Sequence, residues 1–115
     1  MIFSRKIDQI LNRGLFLGDI GIKNWALNKA EALIVLSVFE AEQIPILGGD
    51  VYVASIGVIS CNYDNWYYEK AEDESLSDYA SNSIKVATEY IMSYPEGYNS
   101  TVFFVLVPDA GNMSD

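Results

Sequence analysis

The sequence contains no histidine. That absence removes the Ser/His and Cys/His nucleophile systems and the usual transition-metal ligand. There is one cysteine, Cys61, which cannot close an internal disulfide. A reducing cytoplasm is the expected compartment, with Cys61 as a small buried apolar residue. No glycine-rich phosphate loop is present, and Gly48-Gly49 lacks the third glycine of a dinucleotide fingerprint. No apolar run reaches the roughly 18 residues that cross a bilayer. The opening ten residues read as an amphipathic segment and not as a secretory signal. Cations are also scarce: 7 Lys and Arg stand against 16 Asp and Glu, a formal net charge of −9. Residues 1–29 carry a net +3 and residues 30–115 a net −12. Such a surface repels nucleic acid and anionic lipid, so neither is an expected partner, and it speeds encounter with a basic protein. Solubility alone is the competing explanation of the same acidity.

What is present describes a folded unit. The 115 residues are 50% hydrophobic and 13% aromatic, enough for one two-layered domain over 1–115 with residues 109–115 as a loose tail. Ser4 caps a first helix to about Arg13, with Ile7, Ile10 and Leu11 on one face. Leu15 to Ala26 is irregular, broken by Gly18 and Gly21, yet too apolar for a free linker, so it packs on the core. Asn28 and Glu31 form a capping box for a second helix to about Gln43. Its stripe is read as Ala30, Leu33, Ile34, Ser37, Val38 and Ala41, widened by Leu36 and Phe39. A third helix starts at Ser75 or Ser77 and runs to about Ser93, with Tyr79, Ser83, Val86, Ala87, Tyr90 and Ile91 in register. Pro95-Glu-Gly97 breaks the chain. Thr101 to Val107 is a continuous apolar run, the pattern of a strand buried on both faces or central in a sheet.

The chain is organised around Pro45-Ile-Leu-Gly-Gly-Asp-Val-Tyr-Val-Ala54. Pro45 suits the first position of a strand. Val51 and Val53 share one face, and Asp50 and Tyr52 the other. Gly48-Gly49 reads either as a bulge or as a place where another chain comes close. After a turn at Ser55-Ile-Gly57, a second strand runs from Val58 to Tyr63. Asp64-Asn65 is turn chemistry, and Trp66, Tyr67 and Tyr68 resume the strand or form an edge. The order α-α-β-β-α-β predicts an α+β fold: a small, mainly antiparallel three-stranded sheet packed by helices. The third helix carries the last strand back parallel to the second and beside the Gly-Gly strand.

No arrangement of catalytic groups stands out, and no cofactor or metal site is expected. With 16 acids, some carboxylate pair approaches by chance, and the Glu69 to Asp78 cluster does not match an EF-hand loop. The residues point instead to recognition. Asp64, Tyr67, Tyr68, Glu69, Glu72, Asp73, Glu74 and Asp78 set large aromatics beside negative charge, the composition of protein interfaces. Against this stand a core role for Trp66, and a still stronger one for Trp25, and a merely solvated loop for the acids.

The blocks Gly21-Ile-Lys-Asn-Trp-Ala-Leu27, Glu31-Ala32, Pro45-Ile-Leu-Gly-Gly-Asp-Val-Tyr52 and Asn65-Trp66 make the chain resemble an immunity-protein family of bacterial polymorphic toxin systems, the one numbered forty. Ser83 and the closing strand fit the same layout, and the likeness spans about residues 10–107. The resemblance implies a small cytoplasmic antidote that binds the toxic C-terminal domain of a secreted or contact-dependent inhibition effector and blocks its active site. It also implies that Asn24, Trp25, Gly48, Gly49, Asp50, Tyr52 and Trp66 specify the fold, with Asp50 open between structure and partner contact. The charge suggests a basic toxin, a nuclease and specifically an RNase. The rivals are an acidic adaptor or structural domain without a toxin partner and, more weakly, a metal-dependent hydrolase.

Overall fold

The computed structural model describes residues 1–96 and 100–111. Helix α1 (Arg5–Leu11) begins where the Ser4 hydroxyl accepts from Ile7 N. Helix α2 (Lys29–Ala41) begins at a complete capping box between Asn28 and Glu31. Helix α3 (Leu76–Ser93) begins at Ser75, whose side chain accepts from Asp78 N. Each satisfies amide groups that the first helical turn leaves without partners. The three long strands, β3 (Ile46–Ser55), β4 (Val58–Tyr67) and β5 (Thr101–Pro108), form a sheet in the order β4-β3-β5, with both pairings antiparallel. β5 therefore runs parallel to β4 on the far side of the Gly-Gly strand. The central strand is β3, and the most apolar strand, β5, flanks it.

The apolar run of β5 follows from two covered faces. Phe104 and Leu106 join Ile46, Val51 and Trp66 on the side facing the helices, against Ile7, Leu11, Val35, Leu36, Phe39, Ile84 and Ile91. Val105 and Tyr52 form a second cluster on the opposite side with Leu17 and Ala26, flanked by Ile22, Ile59, Cys61 and Phe103. That second cover comes from the segment read as irregular. It contains a two-stranded ribbon, β1 (Leu15–Phe16) with β2 (Trp25–Ala26), around a 3-10 turn at Gly18–Ile20. The chain beyond β2 also closes the outer edge of β5: Leu27 and Phe104 exchange backbone hydrogen bonds of 2.9 and 2.7 Å. Asn24 Nδ2 donates to the Leu106 carbonyl at 2.8 Å. Among the described residues the outer edge of β4 has no such cover.

Several sequence expectations change. Helix α2 buries Ala32, Val35, Leu36 and Phe39, so the stripe through Ala30, Ile34, Ser37 and Ala41 faces solvent. The helix carries apolar side chains around most of its circumference, and the sheet selects one face. Asp64-Asn65 does not end a strand: β4 continues to Tyr67. Between the pairs Asp50↔Asn65 and Tyr52↔Cys61, Val51 alone opposes Asn62, Tyr63 and Asp64, so the turn-forming residues are absorbed as a bulge. Trp25 is half-buried against Phe16, with ring centroids 5.2 Å apart, while Trp66 lies in the core. Cys61 is half-buried. Asp109, assigned to the loose tail, is held: its N–H donates to the Pro45 carbonyl at 2.9 Å. The rest of that tail, from residue 112, and the last residue of the Pro95-Glu-Gly97 break lie outside the described residues.

Candidate partner-binding surface

The Gly-Gly doublet makes room for an indole. A Cβ at Gly49 would strike the outer ring of Trp66 and come within 2.7 Å of the Val105 carbonyl. A Cβ at Gly48 would strike the Trp66 carbonyl and lie 2.8 Å from Tyr67 Cα. The backbone bulges at this doublet, with Leu47 extra between the pairs Ile46↔Pro108 and Gly48↔Val107, and the atoms closest to the two glycines are this chain's own. Trp66 is 8% exposed and stacks on Tyr90 at 4.7 Å between centroids. Its Nε1 is buried without a hydrogen-bond partner among the described residues. Pinning Trp66 inward turns its neighbour Tyr67 to the opposite face, where the phenol is 79% exposed. Asp50 and Tyr52 lie on that same face, Asp50 half-buried opposite Asn65 and Tyr52 buried in the second cluster.

At the bulge, short hydrogen bonds stand in for the interrupted ladder. Asp64 N donates to Asn62 Oδ1 at 3.0 Å, Tyr63 N to Cys61 Sγ at 3.4 Å, and Asn65 Nδ2 to the Tyr63 carbonyl at 3.2 Å. The Tyr94 hydroxyl, just past the end of α3, donates to Asp64 Oδ2 at 2.6 Å and accepts from Asn62 Nδ2 at 2.6 Å. Burial and the Asp64 carboxylate both hold the Tyr94 phenol above its usual pKa. Asp64 is exposed, and one of its oxygens is engaged in this way.

The segment from Tyr68 to Asp78 is built on Glu74. Its Oε2 accepts from the Tyr68 hydroxyl at 2.6 Å and from Asn82 Nδ2 at 2.7 Å, and its Oε1 accepts from Ala71 N at 3.1 Å. The hydrogen bond from Tyr68 leads the causes that hold the Glu74 carboxyl below its usual range, and the same bond raises the Tyr68 phenol. The Tyr68 ring stacks on Tyr79 at 6.0 Å. Tyr79 is buried, and its hydroxyl donates to Asp109 Oδ2 at 2.9 Å. Burial first, and that carboxylate second, push the Tyr79 phenol up to about 12.

The eight residues singled out as partner-facing therefore divide. Tyr68 and Glu74 are half-buried and bond to each other. Tyr67, Glu69, Glu72, Asp73 and Asp78 are exposed, and their side chains have no hydrogen bond or ion pair among the described residues. Lys70, the only cation between Glu69 and Asp78, places its Nζ on the Ala71 carbonyl at 3.0 Å. The result is an exposed tyrosine at the end of β4, followed along the chain by four exposed carboxylates, with Asp64 upstream. Among the described residues no three Cys, Asp or Glu side chains are grouped to hold a metal ion. A cavity of about 210 Å³ lies between Asn28, Lys29, Tyr94, Thr101 and Phe104. Lys29 Nζ there donates to the Tyr94 carbonyl at 3.3 Å, so it caps the end of α3.

The turn expected at Ser55-Ile-Gly57 is the hairpin tip. Ser55 pairs with Val58, leaving a two-residue loop in which Ile56 (φ 54°) and Gly57 (φ 76°) are both left-handed. Such loops favour Asn-Gly. What the turn reading does not contain is the β-branched Ile56 in the first, left-handed position.

Residues 16–108 match the family model described as Immunity protein 40. No curated protein and no solved structure matches the chain.

Proposed function

This chain belongs to the Immunity protein 40 family, and from that premise we propose that it binds one cognate bacterial toxin domain and neutralises it by covering the active site. The observation that carries the surface assignment is the exposed, unneutralised set Glu69, Glu72, Asp73 and Asp78 around Tyr67. Carboxylates without internal cations attract a basic partner and supply hydrogen-bond acceptors to its Lys and Arg side chains. An exposed tyrosine provides rigid apolar area with a polar end, the usual character of an interface anchor. Tyr68 and Glu74 hold the loop in shape beneath these groups.

The formal charge of −9 supports a basic toxin, and nucleases are basic because they bind phosphate. On this reading the carboxylates take the place of substrate phosphates in an RNase cleft. The toxin is the C-terminal domain of a polymorphic or contact-dependent inhibition effector, and the encounter takes place in the cytoplasm. Neutralisation by occlusion requires no catalysis from this chain.

The test is co-expression with effector C-terminal domains encoded in the same genome, read by pull-down and by growth. A stable complex with restored growth is the expected result. Neither complex nor rescue would leave an acidic adaptor domain without a toxin partner.

A further inference from the structure

Among the described residues, three non-glycine positions have left-handed backbone: Gln43, Ile56 and Tyr63. Gln43 follows the end of α2, where that conformation commonly terminates a helix. The other two lie on the β3–β4 hairpin, and both carry large apolar side chains into solvent. Ile56 (φ 54°) is 98% exposed and Tyr63 (φ 71°) is 85% exposed. Left-handed backbone is costly for residues with a Cβ and most costly for β-branched ones. Neither side chain recovers that cost by burial. An unfavourable backbone displaying an unburied apolar side chain is a local conflict of the kind that accumulates at functional sites.

The strand between these two residues is the open edge of the sheet. The opposite edge is closed through Leu27 and Asn24, whereas among the described residues β4 has only β3 beside it. Natural edges are blunted by Lys, Pro, bulges or covering segments. β4 contains no Lys, Arg or Pro. Its bulge consumes the Tyr63 and Asp64 amides locally, but Val58 to Cys61 precede it. By the alternation of an antiparallel ladder, every second residue there turns its N–H and C=O away from β3. Ser55 and Val58 close the two-residue loop as a hydrogen-bonded pair, so Ile59 and Cys61, both half-buried, are the residues whose backbone groups turn outward.

We infer that Val58–Cys61 accepts an extended, Lys- or Arg-bearing segment of the toxin domain as a fourth strand, with Ile56 and Tyr63 as apolar anchors at its two ends. This rests on the immunity reading and specifies how that partner docks. Charge selects the occupant. Asp64 adjoins the stretch, and the strand leads through Tyr67 into Glu69, Glu72 and Asp73, so a basic segment is attracted along the whole line. A second copy of this chain, itself at −9, would set acid against acid. Main-chain pairing supplies affinity, and flanking side-chain contacts supply specificity.

The experiment compares wild type with Ile56→Asn, Tyr63→Asn and Ser60→Lys, using as probe the inactivated effector C-terminal domain that the co-expression test identifies. Ile56→Asn relieves the left-handed strain and restores the preferred Asn-Gly loop, so its Tm rises by roughly 3–6 °C. Its Kd for the toxin domain nevertheless increases at least tenfold. Tyr63→Asn weakens binding similarly without loss of fold. Ser60→Lys, on an exposed position of the edge, weakens binding and leaves Tm within a few degrees. Wild-type binding and rescue that all three variants retain would overturn strand docking while leaving the immunity reading in place. Absence of wild-type binding and rescue would overturn both. Sedimentation showing a wild-type dimer that Ser60→Lys abolishes would make a second copy the occupant and overturn this assignment.

Discussion

At the scale of single residues, the fold depends on close approaches that tolerate no added atom. Gly49→Ala would place a methyl group against the Trp66 ring and the Val105 carbonyl. Because a carbonyl in a paired strand cannot yield, the expected cost is about 1–3 kcal/mol, as for other overpacked cores, read as a lower urea midpoint. The stack of Trp66 on Tyr90 would loosen in the same variant, visible in near-ultraviolet circular dichroism. Tyr79 offers a second test. Its folded pKa, about 12 against an ordinary 10.0, means that the native state keeps a proton the unfolded chain releases. The corresponding stability is fully present below pH 10 and is lost as pH rises from 10 to 12. The slope is about 1.4 kcal/mol per pH unit for one proton. In Tyr79→Phe, alkaline unfolding should be shallower by about one proton, although the variant starts lower through loss of the bond to Asp109.

At the scale of elements, helix α2 shows both the reach and the limit of periodicity. Its start was legible because Asn28 and Glu31 act across three residues. Its inward face was not, because Ala30, Leu33, Ile34, Val35, Leu36, Val38 and Phe39 leave two plausible stripes. Substitution distinguishes them sharply. Ile34→Lys, on the solvent side, should change stability by less than about 0.5 kcal/mol, whereas Leu36→Ala should cost about 2–5 kcal/mol, both by chemical denaturation. Helix α3 was read correctly, since Tyr79, Ser83, Ala87 and Ile91 define one stripe without a competitor. Ser83 adds a link that periodicity could not reveal: its hydroxyl accepts from Ile46 N at 3.0 Å and so ties α3 to the start of β3. In β4, residues suited to a turn formed a bulge instead. Asx-type bonds and one left-handed residue satisfy the same local chemistry without reversing the chain.

At the scale of the whole molecule, the candidate surface is defined by charge and by order along the chain. The chain measures 45 × 30 × 21 Å, thin across the layers, with helices on one sheet face and the β1–β2 ribbon on part of the other. The open β4 edge continues into the acidic segment, so the hairpin tip, Tyr67 and the exposed carboxylates follow one another along the chain. Reversing Glu72 and Asp73 to Lys should leave Tm almost unchanged, because neither side chain has a partner among the described residues. It should slow association with a basic toxin domain about tenfold at low salt and flatten the dependence of the association rate on ionic strength. Stopped-flow measurements at two salt concentrations decide this. An unchanged rate would move the interface away from the acidic loop.

Local sequence was enough for the three helices and their caps, the presence of the three long strands, the acid surplus and the family resemblance. These depend on interactions within three or four residues, or on composition. The folded chain settles which face of α2 is buried, that Gly48-Gly49 accommodates Trp66, and that Asn24 and Leu27 close one sheet edge while, among the described residues, β4 stays open. Each of those outcomes joins residues far apart in the chain. It is settled by which contacts exclude most water while leaving backbone groups hydrogen-bonded, a comparison no short window of sequence contains.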